Sequence, residues 1–279
     1  MKRLISETEH EQLRETAKRY IDREVAPNAA RWEENRIVDR SAYAAAGRYG
    51  LIGFNMPEQY GGGGTDDFRF NAVVVEEIAK FGFLTPALSV HNDIVGPYLK
   101  TLATAEQKER WLPGYTTGEL IGAIAMSEPG AGSDLAGIRT TAVRVGDSWI
   151  LNGAKTFISA GINSDLVIVV ARTDPDAGHK GFSLLVVERD MEGFSPNKHE
   201  DKHGIRASNT AALFLEDVYV PAERLIGGVE GQGFKQLMQT FESARIQTAA
   251  RAIGVAQSAF DLGLRYAKER IQFGKALIN

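Results

Sequence analysis

Residues 127–134, with the sequence SEPGAGSD, combine residue types that suit the binding of a flat polar ligand. The glycines carry no Cβ, so main-chain amides can approach a planar group closely, and serine hydroxyls can donate hydrogen bonds to ring nitrogens and carbonyls. A tight turn between strands is the alternative interpretation. Such a turn explains the glycines and the proline, but it does not require both Ser127 and Ser133. The segment is therefore a candidate ligand-binding loop.

Other kinds of chemistry find little support in the composition. The 279 residues include no cysteine, which excludes disulfides, thiolate metal sites and cysteine nucleophiles. The five histidines form no HExxH motif, and His199 and His203 fall in a stretch typical of a loop. The formal net charge of -4 provides no basic field for a phosphate backbone. We therefore predict no metal site and no nucleic-acid partner.

The sequence also bears on location. It contains no run approaching the roughly 18 to 20 uninterrupted apolar residues that a membrane span needs. Residues 1–12, MKRLISETEHEQ, become acidic before an apolar core develops, unlike a secretory signal or a transit peptide. We expect no membrane span and a cytoplasmic, bacterial-type location.

Residues 1–120 show the spacing of amphipathic helices. Apolar residues recur every three or four positions in 13–25, before Pro27. A second helix is predicted between a candidate N-cap at Asp39 and a stop at Gly50. Helical patterns also cover 66–79, 86–102 and 105–112. We predict an N-terminal all-α domain over 1–120.

Between 121 and 228 the pattern changes to that of β-strands. Short runs rich in Val, Ile and Phe are separated by turn signals, among them the pair Gly146 and Asp147. The runs are GAIAM, TTAVRV, SWILNG, KTFIS, DLVIVVART, FSLLVVER and NTAALFLEDVYVP. Their number and spacing predict a small antiparallel sandwich or barrel as the middle domain.

Residues 229–279 return to helical spacing. From 234 to 272 the sequence has no proline, and only Gly254 and Gly263 interrupt, which predicts one long helix or a pair built to pack in a bundle. The sequence ends soon after, with Leu277 and Ile278 still apolar, so we expect this bundle to be incomplete. The fold class is therefore α+β, in the order α-β-α.

This order and five motifs resemble the acyl-CoA dehydrogenase family, and the resemblance covers essentially the whole chain. Members are flavoproteins with an N-terminal helical domain, a middle β domain and a C-terminal four-helix domain, relative to which this chain is C-terminally incomplete. The long-chain branch is the most similar, mainly through GAIAMSEPGAGSD and SDLVIVVA. The motifs are PEQYGG (57–62), AMSEPGAGSDLAGI (125–138), WILNGAKTFIS (149–159), VIVVART (167–173) and RYAKERIQFGK (265–275).

The resemblance implies that the chain binds FAD. It places Ile124, Met126 and Ser127 along the flavin ring, with the Met126 amide and the Ser127 hydroxyl donating to the pyrimidine side. Phe157 stands where the family has an aromatic residue, usually Trp, against the isoalloxazine; a core aromatic on a strand is the alternative. Ser159 stands where a hydroxyl donates to N5, the atom that receives the hydride. Such contacts tune the cofactor.

Further contacts are implied beyond the flavin ring. Ser133 would contact the flavin phosphate or the pantetheine arm of a thioester substrate. Arg270 would pair with the pyrophosphate of a neighbouring chain's FAD, with Gln272 and Phe273 beside the adenosine. This implies a homo-oligomer, a dimer or tetramer, with FAD shared across an interface. A surface ion pair is the alternative for Arg270.

The segment FESARI, 241–246, resembles the part of the family that meets acyl-CoA. Glu242 falls where a carboxylate often holds the CoA moiety, and Arg245 matches a common arginine of the family. The alternative is an ordinary i,i+3 helix pair. The resemblance also assigns the acyl tunnel in part to Ser89, Val90, Asn92, Asp93, Ile94, Pro97 and Tyr98, with simple helix packing as the equal alternative.

The implied reaction is α,β-dehydrogenation of a fatty acyl-CoA to the trans-2-enoyl-CoA, with electrons passed to an electron-transfer flavoprotein. Most members carry the catalytic Glu in the last helical domain, and a minority place it immediately before the arginine matched by Arg245. Here that position is Ala244, which cannot accept a proton. Glu242 lies about 200° around the helix from Ala244 and is not predicted to replace it. Enzymatic activity would depend on a Glu beyond residue 279.

Two alternatives stay open. One is an oxygen-using flavoenzyme of the same fold, such as an acyl-CoA oxidase, nitroalkane oxidase or flavin monooxygenase, because fold alone does not determine how reduced flavin is reoxidised. The other is a non-catalytic flavin- or CoA-binding subunit of a mixed oligomer, which Ala244 suggests.

Overall fold

The computed structural model describes residues 5–82 and 86–279, without the side chains of Lys198 and His199. A helical N-terminal part is followed by a central β-sheet and by one long C-terminal helix. The predicted α-β-α order and the α+β class are confirmed. Across the described residues, no helix combines the length and the apolar character needed to cross a membrane.

The regular elements of the N-terminal part are all helical among the described residues, as predicted. The first helix passes into a π-helical turn and ends before Pro27. Helix α5 continues past its predicted end at 112, because it tolerates Pro113 and stops at Gly118 in the left-handed conformation (φ 76°). The elements are α1 Thr8–Tyr20, a π-helical turn Ile21–Val25, α2 Ala29–Asn35, α3 Arg40–Arg48, α4 Phe68–Lys80, π-helical segments Val90–Val95 and Tyr98–Leu102, and α5 Ala105–Thr117.

The middle part is one seven-stranded sheet. Its strands are β1 Gly122–Ala125, β2 Thr141–Val145, β3 Ser148–Ile158, β4 Leu166–Arg172, β5 Phe182–Glu188, β6 Phe194–His199 and β7 Ala211–Pro221. The order is β1-β4-β2-β3-β7-β6, with β5 also paired to β4. The predicted turn at Gly146 and Asp147 connects β2 to β3, and Gly146 has a φ of 58°.

The sheet departs from the prediction in three details. It is mixed rather than purely antiparallel, because β1 and β2 both pair parallel with β4. The runs SWILNG and KTFIS form one strand, β3, whose register with β7 shifts between Leu151 and Gly153. Strand β6 was not predicted, because it contains Pro196 and its sequence shows little alternation of apolar and polar residues.

Strand β4 pairs with β1 and β5 and is buried on both faces. Ile168 and Val170 belong to the core cluster that contains Leu112 of α5. Val167 and Val169 belong to the cluster on the other side, with Trp149. Burial on both faces explains why β4 is a continuous apolar run. β4 therefore provides a fully buried neighbour for β1.

The C-terminal part is a single helix, α6 Gly233–Glu269, of 37 residues and about 55 Å. It crosses α4 at Gly254, where an added Cβ would lie 2.6 Å from Ala79 Cβ, so the close crossing requires glycine. The Ser258 hydroxyl donates to the Lys80 carbonyl at 2.9 Å. A short hairpin, β8 Ile271–Gln272 and β9 Lys275–Ala276, ends the chain where helix was predicted to 272. Exposed apolar side chains on α6 include Ile246, Ile253, Phe260, Leu262 and Tyr266.

Candidate functional site

The candidate flavin-binding residues that follow β1 lie beside those at the end of β3. Met126 and Ser127 are half-buried, and the Thr156 amide donates to the Ser127 carbonyl at 2.9 Å. This bond joins the loop after β1 to the strand end that carries Phe157 and Ser159. The two motifs, thirty residues apart in sequence, therefore form one surface. Ile124 lies behind it, buried in the core at 9% exposure.

The loop 127–134 presents an open backbone. A Cβ added to Gly130 or Gly132 would meet no atom within 4 Å, and neither residue has a positive φ. The turn geometry therefore does not require these glycines, and their open side leaves space for a ligand to approach the main chain. Ser133 is exposed on the same loop. Both observations fit a bound planar group better than a plain turn.

A buried ion pair that the sequence analysis missed supports this loop from below. Lys155 is fully buried on β3, and its Nζ donates to Glu128 Oε1 at 2.8 Å, to the Val170 carbonyl at 2.7 Å and to the Met126 carbonyl at 3.2 Å. One ammonium group thus joins β1, β3 and β4. A lysine within a predicted β-strand was the available signal, because a charge that becomes buried requires partners.

Glu128, the partner of Lys155 in this ion pair, also holds the loop through further hydrogen bonds. Its carboxylate also accepts hydrogen bonds from the Arg139 amide at 2.7 Å, the Thr140 amide at 2.9 Å and the Thr140 hydroxyl at 2.5 Å. Burial acts to raise the pKa of Glu128, but the hydrogen bonds from Lys155, Thr140 and Arg139 outweigh it and leave the pKa below its usual value. Burial lowers the pKa of Lys155 to about 8, against the opposing effect of Glu128. The loop is therefore held in place by a saturated, charged network.

Phe157 is strained and exposed. Its φ of 59° lies in the left-handed region, which is unusual for an aromatic residue, and 69% of its surface is exposed. The alternative, a core aromatic on a strand, is therefore wrong. Strain of this kind concentrates at functional sites. An exposed ring held beside Ser127 can cover a flat ligand.

A buried histidine positions the start of β1. His91 Nδ1 accepts from the Gly122 amide at 3.3 Å, and Nε2 donates to the Tyr115 carbonyl at 3.0 Å, which requires the neutral ring. Burial lowers the pKa of His91 to about 4, in agreement with this pairing. The ring stacks on Tyr115 at a centroid distance of 3.7 Å. His91 thereby connects the helical part to the strand that leads into Met126.

A cavity of about 200 Å³ opens beside Ser159, between the helical part, the sheet and α6. The predicted tunnel residues Ser89 and Val90 line it, and so do Lys202, Thr210 and Arg251. Two other nominated tunnel residues are buried elsewhere. The Asn92 side chain donates to the Leu51 carbonyl at 2.7 Å, and Asp93 accepts from Asn71. For Asn92 and Asp93, packing is the correct interpretation.

The nominated residues of α6 are exposed. Glu242 and Arg245 face outward, and the Arg245 guanidinium lies 5.8 Å from the Phe241 ring centroid. Ala244 is half-buried.

Arg270, Gln272 and Phe273 lie in the terminal hairpin, where Phe273 is 99% exposed. Arg270 is 19 residues beyond Arg251, or about 28 Å along α6. Among the described residues, no hydrogen bond joins Arg270, Gln272 or Phe273 to the loop 127–134 of the same chain.

Three residues of types that can bind a metal ion lie close together outside this site. Glu7, Glu9 and His10 place ligand atoms within 4.8 Å of one another at the start of α1. However, His10 Nδ1 accepts from the Glu7 amide at 3.0 Å, and Nε2 lies 3.3 Å from Asp67 Oδ2, so both ring nitrogens already face polar atoms.

Comparison with known proteins agrees with this architecture. Three family models match: "Acyl-CoA dehydrogenase, N-terminal domain" over 7–119, "middle domain" over 123–218 and "C-terminal domain" over 231–279. A crystal structure of an acyl-CoA dehydrogenase from Geobacillus kaustophilus superimposes with a TM-score of 0.94 at 43% identity, over 99% of this chain and 73% of that one. The chain belongs to the acyl-CoA dehydrogenase family.

Two further acyl-CoA dehydrogenases show the range of the similarity. The mouse mitochondrial long-chain specific enzyme is 44% identical over 99% of this chain, which spans 64% of that relative's length. An acyl-CoA dehydrogenase from Bacillus anthracis, solved in complex with FAD, is 32% identical with a TM-score of 0.91 over 99% of this chain and 47% of that one. The resemblance seen in the sequence is confirmed at the level of the family.

Proposed function

We propose that this protein is an FAD-dependent dehydrogenase that converts an acyl-CoA thioester to its trans-2-enoyl-CoA. The observation that carries the proposal is the surface formed by Met126, Ser127, Phe157 and Ser159, joined by the bond between Thr156 and Ser127. It holds hydroxyl and amide donors beside an exposed aromatic ring. Membership of the family supplies the reaction class.

The residues present fit FAD. The open backbone at Gly130 and Gly132 lets a planar group approach, and the strained, exposed Phe157 offers a ring to pack against it. The Met126 amide and Ser127 hydroxyl would donate to the pyrimidine side, and the Ser159 hydroxyl to N5, with Ile124 behind the ring. When bound, FAD supplies the acceptor for the hydride that leaves the β carbon of the substrate.

The substrate would be held by its CoA part on the exposed side of this surface. Ser133 and Glu242 offer polar contacts to the pantetheine arm and the CoA moiety. Arg245 adds a positive charge on α6, one residue after the half-buried Ala244. The acyl chain would then run past Ser159 into the cavity described above.

The proton at the α carbon requires a base that this chain does not show. Ala244 occupies one family position for it, and Glu242 is exposed about 200° around α6. A carboxylate poised by desolvation would have to come from another part of the protein. We propose that a glutamate outside residues 1–279 supplies it.

We further propose that FAD is shared between two copies of the chain. Arg270, Gln272 and Phe273 lie in an exposed hairpin, and no hydrogen bond among the described residues joins them to the loop 127–134 of the same chain. Arg270 of one protomer would pair with the pyrophosphate of FAD held by its partner. The assembly would be a homodimer or homotetramer, and an electron-transfer flavoprotein would accept the electrons.

An anaerobic visible spectrum tests the proposal. The purified protein should show bound oxidised flavin that bleaches when a straight-chain acyl-CoA is added. Bleaching accompanied by rapid oxygen uptake after air is admitted would instead identify an oxidase. Flavin that stays oxidised with every thioester would contradict dehydrogenation and favour the non-catalytic subunit.

A further inference from the structure

Two consecutive residues of β3, Lys155 and Thr156, hold the main-chain carbonyls of Met126 and Ser127. The Lys155 Nζ donates to the Met126 carbonyl at 3.2 Å, and the Thr156 amide donates to the Ser127 carbonyl at 2.9 Å. Lys155 is itself held firmly, because it is fully buried and its Nζ also donates to Glu128 Oε1 at 2.8 Å. The peptide groups before and after Ser127 are therefore both fixed from the β3 side.

The bond to the Met126 carbonyl determines the direction of the Ser127 amide. In a trans peptide, such as every one that the structure describes, the C=O and the following N–H point in opposite directions. The Met126 carbonyl points toward the buried Lys155, so the Ser127 N–H points away from it, to the open side of the loop. Among the described residues, neither the Ser127 amide nor its hydroxyl makes a hydrogen bond. Ser127 therefore offers two hydrogen-bond donors to a ligand on this surface.

The contribution of Lys155 to this surface is one of position rather than of charge. Its ammonium group is paired with the Glu128 carboxylate, which is also fixed by the main-chain amides of Arg139 and Thr140. The pair is saturated with hydrogen bonds and offers no free charge to a ligand. What it does provide is a fixed peptide group, and a donor that is already oriented loses no free energy to ordering when the ligand binds.

We infer that Lys155 is a positioning residue for the flavin: by holding the Met126 carbonyl, it turns the Ser127 amide outward to donate to the pyrimidine side of FAD. The Ser127 hydroxyl donates beside it. This inference rests on the proposed function, since it requires FAD on this surface. It makes a side chain that lies beneath the loop, out of reach of the cofactor, a determinant of how the cofactor is bound.

Hydrogen exchange of the Ser127 amide tests the inference on the wild-type chain. NMR measures the exchange rate of this amide with and without FAD. The amide should exchange rapidly without FAD, because it has no acceptor within the chain, and about tenfold or more slowly once FAD is bound. Slow exchange without FAD would reveal an acceptor within the chain, and exchange that FAD does not slow would show that the amide makes no bond to it. Either result would overturn the inference.

Two variants that disrupt the same ion pair separate positioning from stability. Lys155→Met removes the bond to the Met126 carbonyl, whereas Glu128→Gln breaks the charge pair and keeps the ammonium group and that bond. Both should lower the urea midpoint of unfolding. Only Lys155→Met should weaken FAD binding by about a further tenfold, as for one lost hydrogen bond, and let the Ser127 amide exchange rapidly in the FAD-bound protein. Equal losses in the two variants would assign Lys155 a merely structural role and overturn the inference.

Infrared spectra of bound FAD give a readout that stability alone does not change. FAD is labelled with ¹³C at one or the other pyrimidine carbonyl. In Lys155→Met one labelled carbonyl band should move to higher wavenumber, because that carbonyl loses a donor. In Glu128→Gln the band should stay at its wild-type position. Bands that stay unchanged in Lys155→Met would contradict the positioning role.

The same measurements keep this inference distinct from the dehydrogenation. If no thioester bleaches the flavin but the carbonyl band moves in Lys155→Met alone, the dehydrogenation fails and the positioning role stands. If thioesters bleach the flavin and the band does not move, only the positioning role fails. A wild-type chain that binds no FAD would overturn both. Should Lys155→Met not fold, the exchange of the Ser127 amide in the wild-type chain still decides the matter.

Discussion

The loop 127–134 and the exposed length of α6 both carry nominated residues, but only the loop is anchored by a buried network. Beneath the loop, Lys155 and Glu128 satisfy each other and the main chain around them. On α6, Glu242 and Arg245 face outward, and the terminal hairpin makes few contacts with the rest of the chain. One half of the proposed site is thus preorganised within a single chain, whereas our proposal assigns the completion of the other half to a partner copy and to a glutamate outside residues 1–279. The predictions below test that contrast.

The largest effect is expected from Lys155→Met. It leaves the buried Glu128 carboxylate without its cation, which should lower the free energy of unfolding by about 3 to 5 kcal/mol. FAD affinity should fall as the loop loosens. Urea unfolding and flavin fluorescence titration measure the two effects, with Lys180→Met, an exposed lysine, as the control. The double variant Glu128→Gln with Lys155→Met should cost less than the sum of the single variants. Equal effects of Lys155→Met and Lys180→Met would contradict the supporting role.

A second effect concerns the buried carboxyl group of Asp93. Burial raises the pKa of Asp93 to about 8, so the folded state holds a proton that the unfolded state releases near pH 4. The free energy of unfolding should therefore fall as pH rises from about 4 to about 8. Asp93→Asn removes this slope and should be more stable than wild type at pH 9, by a few kcal/mol.

Urea unfolding at pH 5, 7 and 9 checks the Asp93 prediction. Asp176→Asn, in an exposed loop, is the matched control and should keep the wild-type slope. A difference between wild type and Asp93→Asn that does not grow with pH would show that the Asp93 carboxyl is ionised in the folded state.

Substitution of Phe157 should have smaller effects, one on the stability of the apoprotein and one on its affinity for FAD. Phe157→Gly relieves the left-handed backbone and should raise the stability of the apoprotein by about 1 kcal/mol. Phe157→Ala keeps the strain and removes the ring. Both variants should bind FAD about tenfold more weakly, because the aromatic contact is lost. Unchanged FAD affinity in both would remove Phe157 from the site.

The smallest effect on stability is expected from Arg270→Ala in the exposed hairpin, within about 0.5 kcal/mol. FAD affinity should nevertheless fall, since in the proposed assembly Arg270 pairs with the partner's cofactor. Mixing this variant with Phe157→Ala should restore high-affinity FAD binding in part of the sites, because each mixed pair then contains one intact site. No recovery on mixing would indicate that both residues serve the same chain's site, or that FAD is not shared. Lys268→Ala, also exposed, serves as the control.

Local patterns predicted most of the fold. The helical spacing of 13–25 and the long run without proline after 234 gave α1 and α6, because both depend on contacts only a few residues apart. The parallel pairing of β1 with β4 was not predictable from local patterns, since a strand's sequence does not reveal its neighbour. Strand β6 was missed because Pro196 breaks its pattern, and it exists through pairing with β7.

The candidate site likewise has features that the sequence predicts and features that only the tertiary structure reveals. The sequence by itself determined the family, the loop 127–134, the aromatic and hydroxyl at Phe157 and Ser159, and the absence of a carboxylate at Ala244, because these are properties of residue type and motif. Only the tertiary structure decided that Lys155 lies beneath that loop, that Asn92 and Asp93 are buried away from the cavity, and that Arg251 and Lys202 face the same cavity. The physical reason is that burial and charge pairing arise between residues far apart in sequence, and they exist only once the elements have packed.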